Sequence, residues 1–193
     1  MLKLFLHRLL SLLFRIKVIG LENYHNAGDR VLIVSNHCSY LDPLLLGVFL
    51  PDEITFAINT HISQRWWLKP FLGLSKVFPM DSTHPMSLKA LIQHLQTDTR
   101  VVIFPEGRIS STGSLMKIYD GPAMVADKTG AIILPIRIDG AEYSHFSRLQ
   151  GRLVYAGCLK SLFTFCRQLR FTVKSRRRER YAVKIVGKFW KTL

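Results

Sequence analysis

Val31-Leu32-Ile33-Val34-Ser35-Asn36-His37-Cys38-Ser39-Tyr40-Leu41-Asp42-Pro43-Leu44-Leu45-Leu46 runs from a strand, through a loop, into a helix. The apolar run Val31–Val34 reads as a buried strand. Asp42 stands where an N-cap belongs and Pro43 where the first helical residue belongs. His37 therefore falls on the strand-to-helix loop, and Asp42 lies where the chain turns back. A carboxylate there can hold an imidazole in one tautomer and stabilise its charged form, leaving the other ring nitrogen to take a proton from an alcohol. A base so placed contributes roughly 10²–10⁴-fold in rate. The same two residues admit a plainer reading, a helix cap near a polar loop histidine.

A second stretch of the same kind is Phe104-Pro105-Glu106-Gly107-Arg108-Ile109-Ser110. It follows the apolar run Val101–Phe104, with Pro105 ending the strand and Gly107 allowing a tight loop. Arg108 can grip a phosphate through two parallel hydrogen bonds. Glu106 can orient Arg108 or bind a glycerol hydroxyl; alone, the stretch also reads as a surface turn with a salt bridge. Strands are expected at Val31–Ser35, Ile54–Ile58, Val101–Phe104 and Ala131–Ile138. Helices are expected at Leu2–Ile16, Pro43–Leu50, Ser63–Leu74, Met86–Thr97 and Gly121–Lys128, the last stopped by Gly130. Alternating strands and helices predict one α/β domain with a mainly parallel sheet flanked by helices. Both motif loops follow strands, so they can meet at one sheet edge.

Together the two stretches resemble the glycerolipid (1-acylglycerol-3-phosphate acyltransferase-like) acyltransferase family, whose marks are N-H-x-x-x-x-D followed by F-P-E-G-x-x-S. Ile133-Leu134-Pro135-Ile136 is similar to that family's later apolar block with its proline. Within the family, residues 103–120 and 140–148 look most like the acyltransferase half of the bifunctional 2-acylglycerophosphoethanolamine acyltransferase/acyl-acyl carrier protein synthetase. The resemblance covers about residues 2–153. It implies acyl transfer from a thioester to a lysophospholipid hydroxyl, with His37 as general base and Asp42 as its partner. The acceptor's glycerophosphate would be held around Glu106, Gly107, Arg108 and Ser110. The implied donor is acyl-acyl carrier protein or acyl-coenzyme A; no metal and no organic cofactor is implied. Lys117 and Tyr119, just beyond, are further candidates for the acceptor pocket.

One departure from the family is informative. Many relatives that act on a phosphate monoester carry an arginine in a middle block, G-x-x-F-I-x-R. Here Gly73-Leu74-Ser75-Lys76-Val77-Phe78-Pro79-Met80-Asp81 ends in a carboxylate instead. Asp81 suits an ammonium-bearing head group, which favours 2-acylglycerophosphoethanolamine over lysophosphatidate as acceptor; the alternatives are a lysophosphatidate acyltransferase and an inactive fragment of a larger bifunctional enzyme.

The chain has 193 residues, enough for one domain, with 27 Lys+Arg against 13 Asp+Glu. The excess is local. Residues 1–147 hold 14 basic and 12 acidic residues, whereas residues 148–193 hold 13 and 1. A basic end suits an anionic membrane surface; without a DNA- or RNA-binding motif, it does not predict a specific nucleic-acid partner. Three cysteines, Cys38, Cys158 and Cys166, form no zinc pattern and fit a reducing compartment. Cys38 as a thiol nucleophile is disfavoured, since the loop already holds a base. There is no G-x-S-x-G, dinucleotide or P-loop signature.

No stretch is long and apolar enough for a conventional transmembrane helix. Residues 1–20 read as an interfacial amphipathic helix, with Lys3, His7, Ser11 and Arg15 on one stripe and leucines covering the rest. Packing of this helix on its own domain is the alternative. Its uncharged core is too short for a signal peptide. Arg65-Trp66-Trp67-Leu68-Lys69 suits a head-group boundary or a core equally. Residues 21–153 make the acyltransferase domain, and residues 154–193 a basic tail, either a polybasic membrane segment or the product of a shifted reading frame. The cytoplasmic face of a bacterial inner membrane is the expected location.

Overall fold

The computed structural model describes residues 1–60, 75–81, 84–114, 116–149 and 168–171. The chain runs α1 (Leu2–Phe14), β1 (Val18–Ile19), α2 (Leu21–His25), β2 (Val31–Ser35), α3 (Asp42–Phe49), β3 (Thr55–Asn59) and β4 (Lys76–Met80). It continues as α4 (Pro85–Leu95), β5 (Arg100–Ile103), α5 (Gly121–Thr129), β6 (Ile132–Asp139), one 3-10 turn (Ala141–Tyr143) and β7 (Gln168–Phe171). Among the described residues the strands form one sheet in the order β1-β7-β6-β2-β5-β3-β4. Every pairing is parallel except β6 with β7. The expected α/β domain, a mainly parallel sheet flanked by helices, is the observed fold.

Strand β2 is buried along its whole length, as a near-continuous apolar run should be when helices cover both sheet faces. Its alternation divides the core. Val31 and Ile33 join Leu45, Leu46, Phe49 and Leu10 on the side of α1 and α3. Leu32 and Val34 join Leu91, Leu95 and Val125 on the side of α4 and α5. Strand β5 lies beside β2 with Val34 opposite Ile103, so both motif loops leave the same sheet edge about 4.8 Å apart.

Several expectations are corrected. Asp42 is not the N-cap of α3; Leu41 is, and Asp42 is the first helical residue, with Pro43 next. Strand β4 was not expected; it contains Pro79 and lies at one edge of the sheet among the described residues, where a missing N–H is tolerated. The short elements β1 and α2 leave too little periodic pattern to read. Within the basic tail, residues 168–173 also read as a strand, and Gln168–Phe171 forms β7 between β1 and β6. The expected helix Ser63–Leu74, the paired tryptophans and the rest of residues 154–193 lie outside the described residues.

The polar stripe of α1 does not face away from the domain. Lys3 Nζ donates to the carbonyls of Leu50 (2.7 Å), Pro51 (3.2 Å) and Asp52 (3.4 Å), closing the C-terminal end of α3. His7 lies over the Phe49 ring, with centroids 4.5 Å apart. Leu6, Leu10 and Phe14 join the core, while Leu2, Leu4, Phe5, Leu9, Leu12 and Leu13 are exposed. Burial pushes the Lys3 ammonium down, partly offset by the carboxylates of Asp52 and Glu53. Among the described residues no helix is long and apolar enough to cross a membrane.

Candidate active site

Strand β2 ends at Ser35, but its ladder to β6 is carried one residue further by a side chain. Asn36 Oδ1 accepts from Ile138 N–H (2.8 Å) and Asn36 Nδ2 donates to the Ile138 carbonyl (2.9 Å). The side chain thus substitutes for strand backbone, and the main chain is released to turn at His37.

The turn wraps around one carboxylate. Asp42 is fully buried, and its Oδ2 accepts from the N–H groups of Cys38 (2.7 Å) and Ser39 (2.8 Å). The same oxygen lies 2.8 Å from His37 Nδ1. Standing in the first turn of α3, the carboxylate also meets the positive end of the helix dipole. A carboxylate that takes Nδ1–H leaves Nε2 of the neutral ring as the proton acceptor. The His37 ring stacks on Phe104, centroids 4.1 Å apart and 19° from parallel, which fixes its plane. Cys38 is buried, with Sγ directed at Asp42 Oδ1 (3.7 Å); this is not the setting of an accessible nucleophile.

The second motif braces the first. Glu106 is only 2% exposed, and its two oxygens accept from His37 N–H (3.0 Å) and Met116 N–H (2.9 Å). Burial pushes its carboxyl up from the ordinary value, opposed by those two amides. Ser110 N–H donates to the His37 carbonyl (2.8 Å), and its buried hydroxyl donates to the Ser114 carbonyl (2.8 Å). Glu106 and Ser110, expected in the acceptor site, hold the two loops together in the structure.

The tip of this loop is different. Gly107 has φ +66°, a conformation that favours glycine. A Cβ there would lie 3.5 Å from the Tyr119 ring. Arg108 is exposed and forms no ion pair among the described residues. Lys117 and Tyr119 lie beside this tip, the Lys117 ammonium 5.6 Å from the Tyr119 ring centre. Asp81 follows β4 at the same sheet edge, three strand spacings from β2, roughly 14 Å. The structure does not bring it against the dyad. Among the described residues no group of three or more His, Cys, Asp and Glu side chains is gathered as a metal ion would need.

Sequence reasoning missed Asn36 as a splice between β2 and β6, and missed Phe104 as the platform under His37. Both lie inside the motifs, which was the available signal.

Comparison with known proteins gives the family and the fold. A chloroplastic 1-acyl-sn-glycerol-3-phosphate acyltransferase of Arabidopsis thaliana is 32% identical over 135 residues, 66% of this chain and 36% of its own length. A probable 1-acyl-sn-glycerol-3-phosphate acyltransferase of Mycoplasma pneumoniae is 29% identical over 147 residues, 70% of this chain and 55% of its own. The chain thus spans between about a third and a little over half of these curated relatives. The crystal structure of the 1-acyl-sn-glycerophosphate acyltransferase PlsC from Thermotoga maritima shares the fold, with TM-score 0.66 at 20% identity over 94% of this chain and 71% of that one. Residues 15–139, which include both motif loops, match the Acyltransferase family, and the chain belongs to that family.

Proposed function

We propose that this chain transfers a fatty acyl group from a thioester to a lysophospholipid hydroxyl. The observation that carries the reading is the His37–Asp42 pair. Its carboxylate is held by two backbone N–H groups and its ring is fixed on Phe104. In this reading His37 Nε2 takes the hydroxyl proton as the acceptor oxygen attacks the thioester carbonyl carbon. The C–S bond then breaks and the imidazolium returns the proton to the departing sulfur, giving an ester and a free thiol. Asp42 supports the imidazolium. Arg108, exposed at the tip of the neighbouring loop, takes the acceptor phosphate. Glu106 and Ser110 act through the backbone of His37 rather than on the substrate.

The acceptor favoured by Asp81 is 2-acylglycerophosphoethanolamine, and the branch resemblance favours acyl-acyl carrier protein as donor. That resemblance is to one half of a bifunctional enzyme. Lysophosphatidate is the second reading, supported by the names of the plant and mycoplasma relatives. The exposed leucines of α1 support work at the surface of a membrane, expected to be the cytoplasmic face of a bacterial inner membrane. The test is acyl transfer in vesicles, with each lysophospholipid offered against each donor and His37→Ala as control. Turnover by the wild type alone supports the reading; turnover that survives in the variant removes His37 as the base.

A further inference from the structure

The loop that carries the dyad is closed on its outer side by the segment following β6. Ser39 and Ser147 form an isolated antiparallel bridge. Tyr40 N–H donates to the Phe146 carbonyl (3.0 Å). Arg148 Nε and Nη2 both donate to Tyr40 Oη (2.9 and 2.6 Å). Beneath these contacts the hydroxyls of Ser39 and Ser144 lie 2.9 Å apart, both buried.

Proton counting fixes the direction of that last contact. Ser144 Oγ donates its only hydrogen to the Ala141 carbonyl (2.7 Å). It must therefore accept from Ser39, whose Oγ in turn accepts from Leu41 N–H (3.2 Å). The result is a one-way chain from Leu41 N–H through Ser39 and Ser144 to the Ala141 carbonyl, in a site without water access. Ser39 also donates its N–H to Asp42 Oδ2, so what holds Ser39 holds the carboxylate. The segment also reaches the loop beyond the second motif, since a Cβ on Gly113 would lie 3.3 Å from Leu149 Cδ1.

We infer that residues 140–149 form a positioning clamp for the dyad, acting through Ser144 on Ser39 and through Arg148 on Tyr40. Neither Ser144 nor Arg148 touches the reacting atoms. Asn36, tied to β6, fixes the loop before His37, and the clamp fixes it after. The inference rests on the acyl-transfer reading for its effect on rate, but not for its effect on the loop.

The test measures amide hydrogen exchange and steady-state acyl transfer on the full 193-residue chain for wild type, Ser144→Ala, Arg148→Met and Ser39→Ala/Ser144→Ala. In Ser144→Ala, exchange at Ser39 to Leu41 should rise about tenfold while β2 and α4 stay protected. Its kcat should fall about tenfold, with acceptor KM within about twofold. Arg148→Met, on the surface, should give about a threefold loss. The double variant should lose at least as much as Ser144→Ala, because it also takes the acceptor from Leu41 N–H; a smaller loss than Ser144→Ala overturns the chain. Unchanged exchange at Ser39 to Leu41 overturns the clamp, as does exchange that rises evenly over the whole chain. Loosened exchange with unchanged kcat overturns its role in positioning. Absence of turnover in the wild type counts against the acyl-transfer reading, and the exchange measurement still decides whether the loop is held.

Discussion

The two loops at the carboxyl edge of β2 and β5 sit side by side and are built in opposite ways. The loop from Asn36 to Asp42 closes on one fully buried carboxylate, which takes His37 Nδ1 and the N–H groups of Cys38 and Ser39, and its remaining polar groups are tied to neighbouring segments. The loop from Phe104 to Ser114 turns only Glu106 and Ser110 inward, and leaves Arg108 and the residues from Ser111 to Ser114 exposed. In the acyl-transfer reading proposed above, the groups that move the proton are enclosed and the group that meets the acceptor phosphate is left at the surface. A substitution in the first loop should therefore act on turnover, and one at the tip of the second on binding.

The largest effect tests the enclosed loop. His37→Ala should lower kcat by about 10²–10⁴-fold, the share a general base supplies, and Asp42→Asn should approach it. Retention of wild-type kcat by either variant breaks the contrast. Glu106→Ala comes next and probes the bridge between the loops. It leaves two buried N–H groups without acceptors, so unfolding should become easier by about 2–4 kcal/mol in a denaturant titration, with kcat falling as His37 loosens.

Arg108→Ala should do the reverse. Acceptor KM should rise about 10–100-fold, as for a lost charge-assisted hydrogen bond to phosphate. Its stability should stay within about 0.5 kcal/mol of wild type. A drop in kcat at constant KM would place Arg108 with the dyad instead. Asp81→Arg sharpens the same point further out, shifting the ratio of kcat/KM values toward lysophosphatidate by about tenfold. An unchanged ratio removes Asp81 from selectivity.

The smallest expected effect concerns pH. Burial, with the nearby carboxylates of Asp139 and Asp42, pushes Glu142 up from its ordinary value, against the Gly140 N–H that it accepts. A carboxyl raised in the folded state contributes stability below its unfolded pKa and loses it as pH rises through the folded value. Glu142→Gln keeps an acceptor oxygen and removes the charge. It should raise Tm by about 2 °C at neutral pH, and the difference should close as pH falls toward about 4.

What could be read in the sequence was what depends on near neighbours. Val31–Ser35 was read to the residue because an unbroken apolar run has one good use in such a domain. The dyad was legible because only four residues separate His37 from Asp42, a span that one strand-to-helix turn can close. The orientation of Glu106 was not legible, because it is decided by the N–H groups of His37 and Met116. Both the inward and the outward rotamer suit its local sequence. Ser144 lies 105 residues from Ser39, and no local pattern links two serines at that range. Asp42 was misplaced by one helical position because an aspartate before proline reads as a cap, whereas here the carboxylate turns back to the preceding loop.

Helix α1 has two faces, and the domain uses one of them. Lys3 closes the carbonyl end of α3, the helix whose other end begins with Asp42. Deleting α1 would therefore strip the foot of the helix that carries Asp42 and bare Phe49, as well as removing the exposed leucines. A truncated chain that falls inactive says nothing about membranes. Replacing Leu4, Phe5 and Leu12 with glutamate alters the outer face alone, and vesicle binding by that variant separates the anchor from the scaffold.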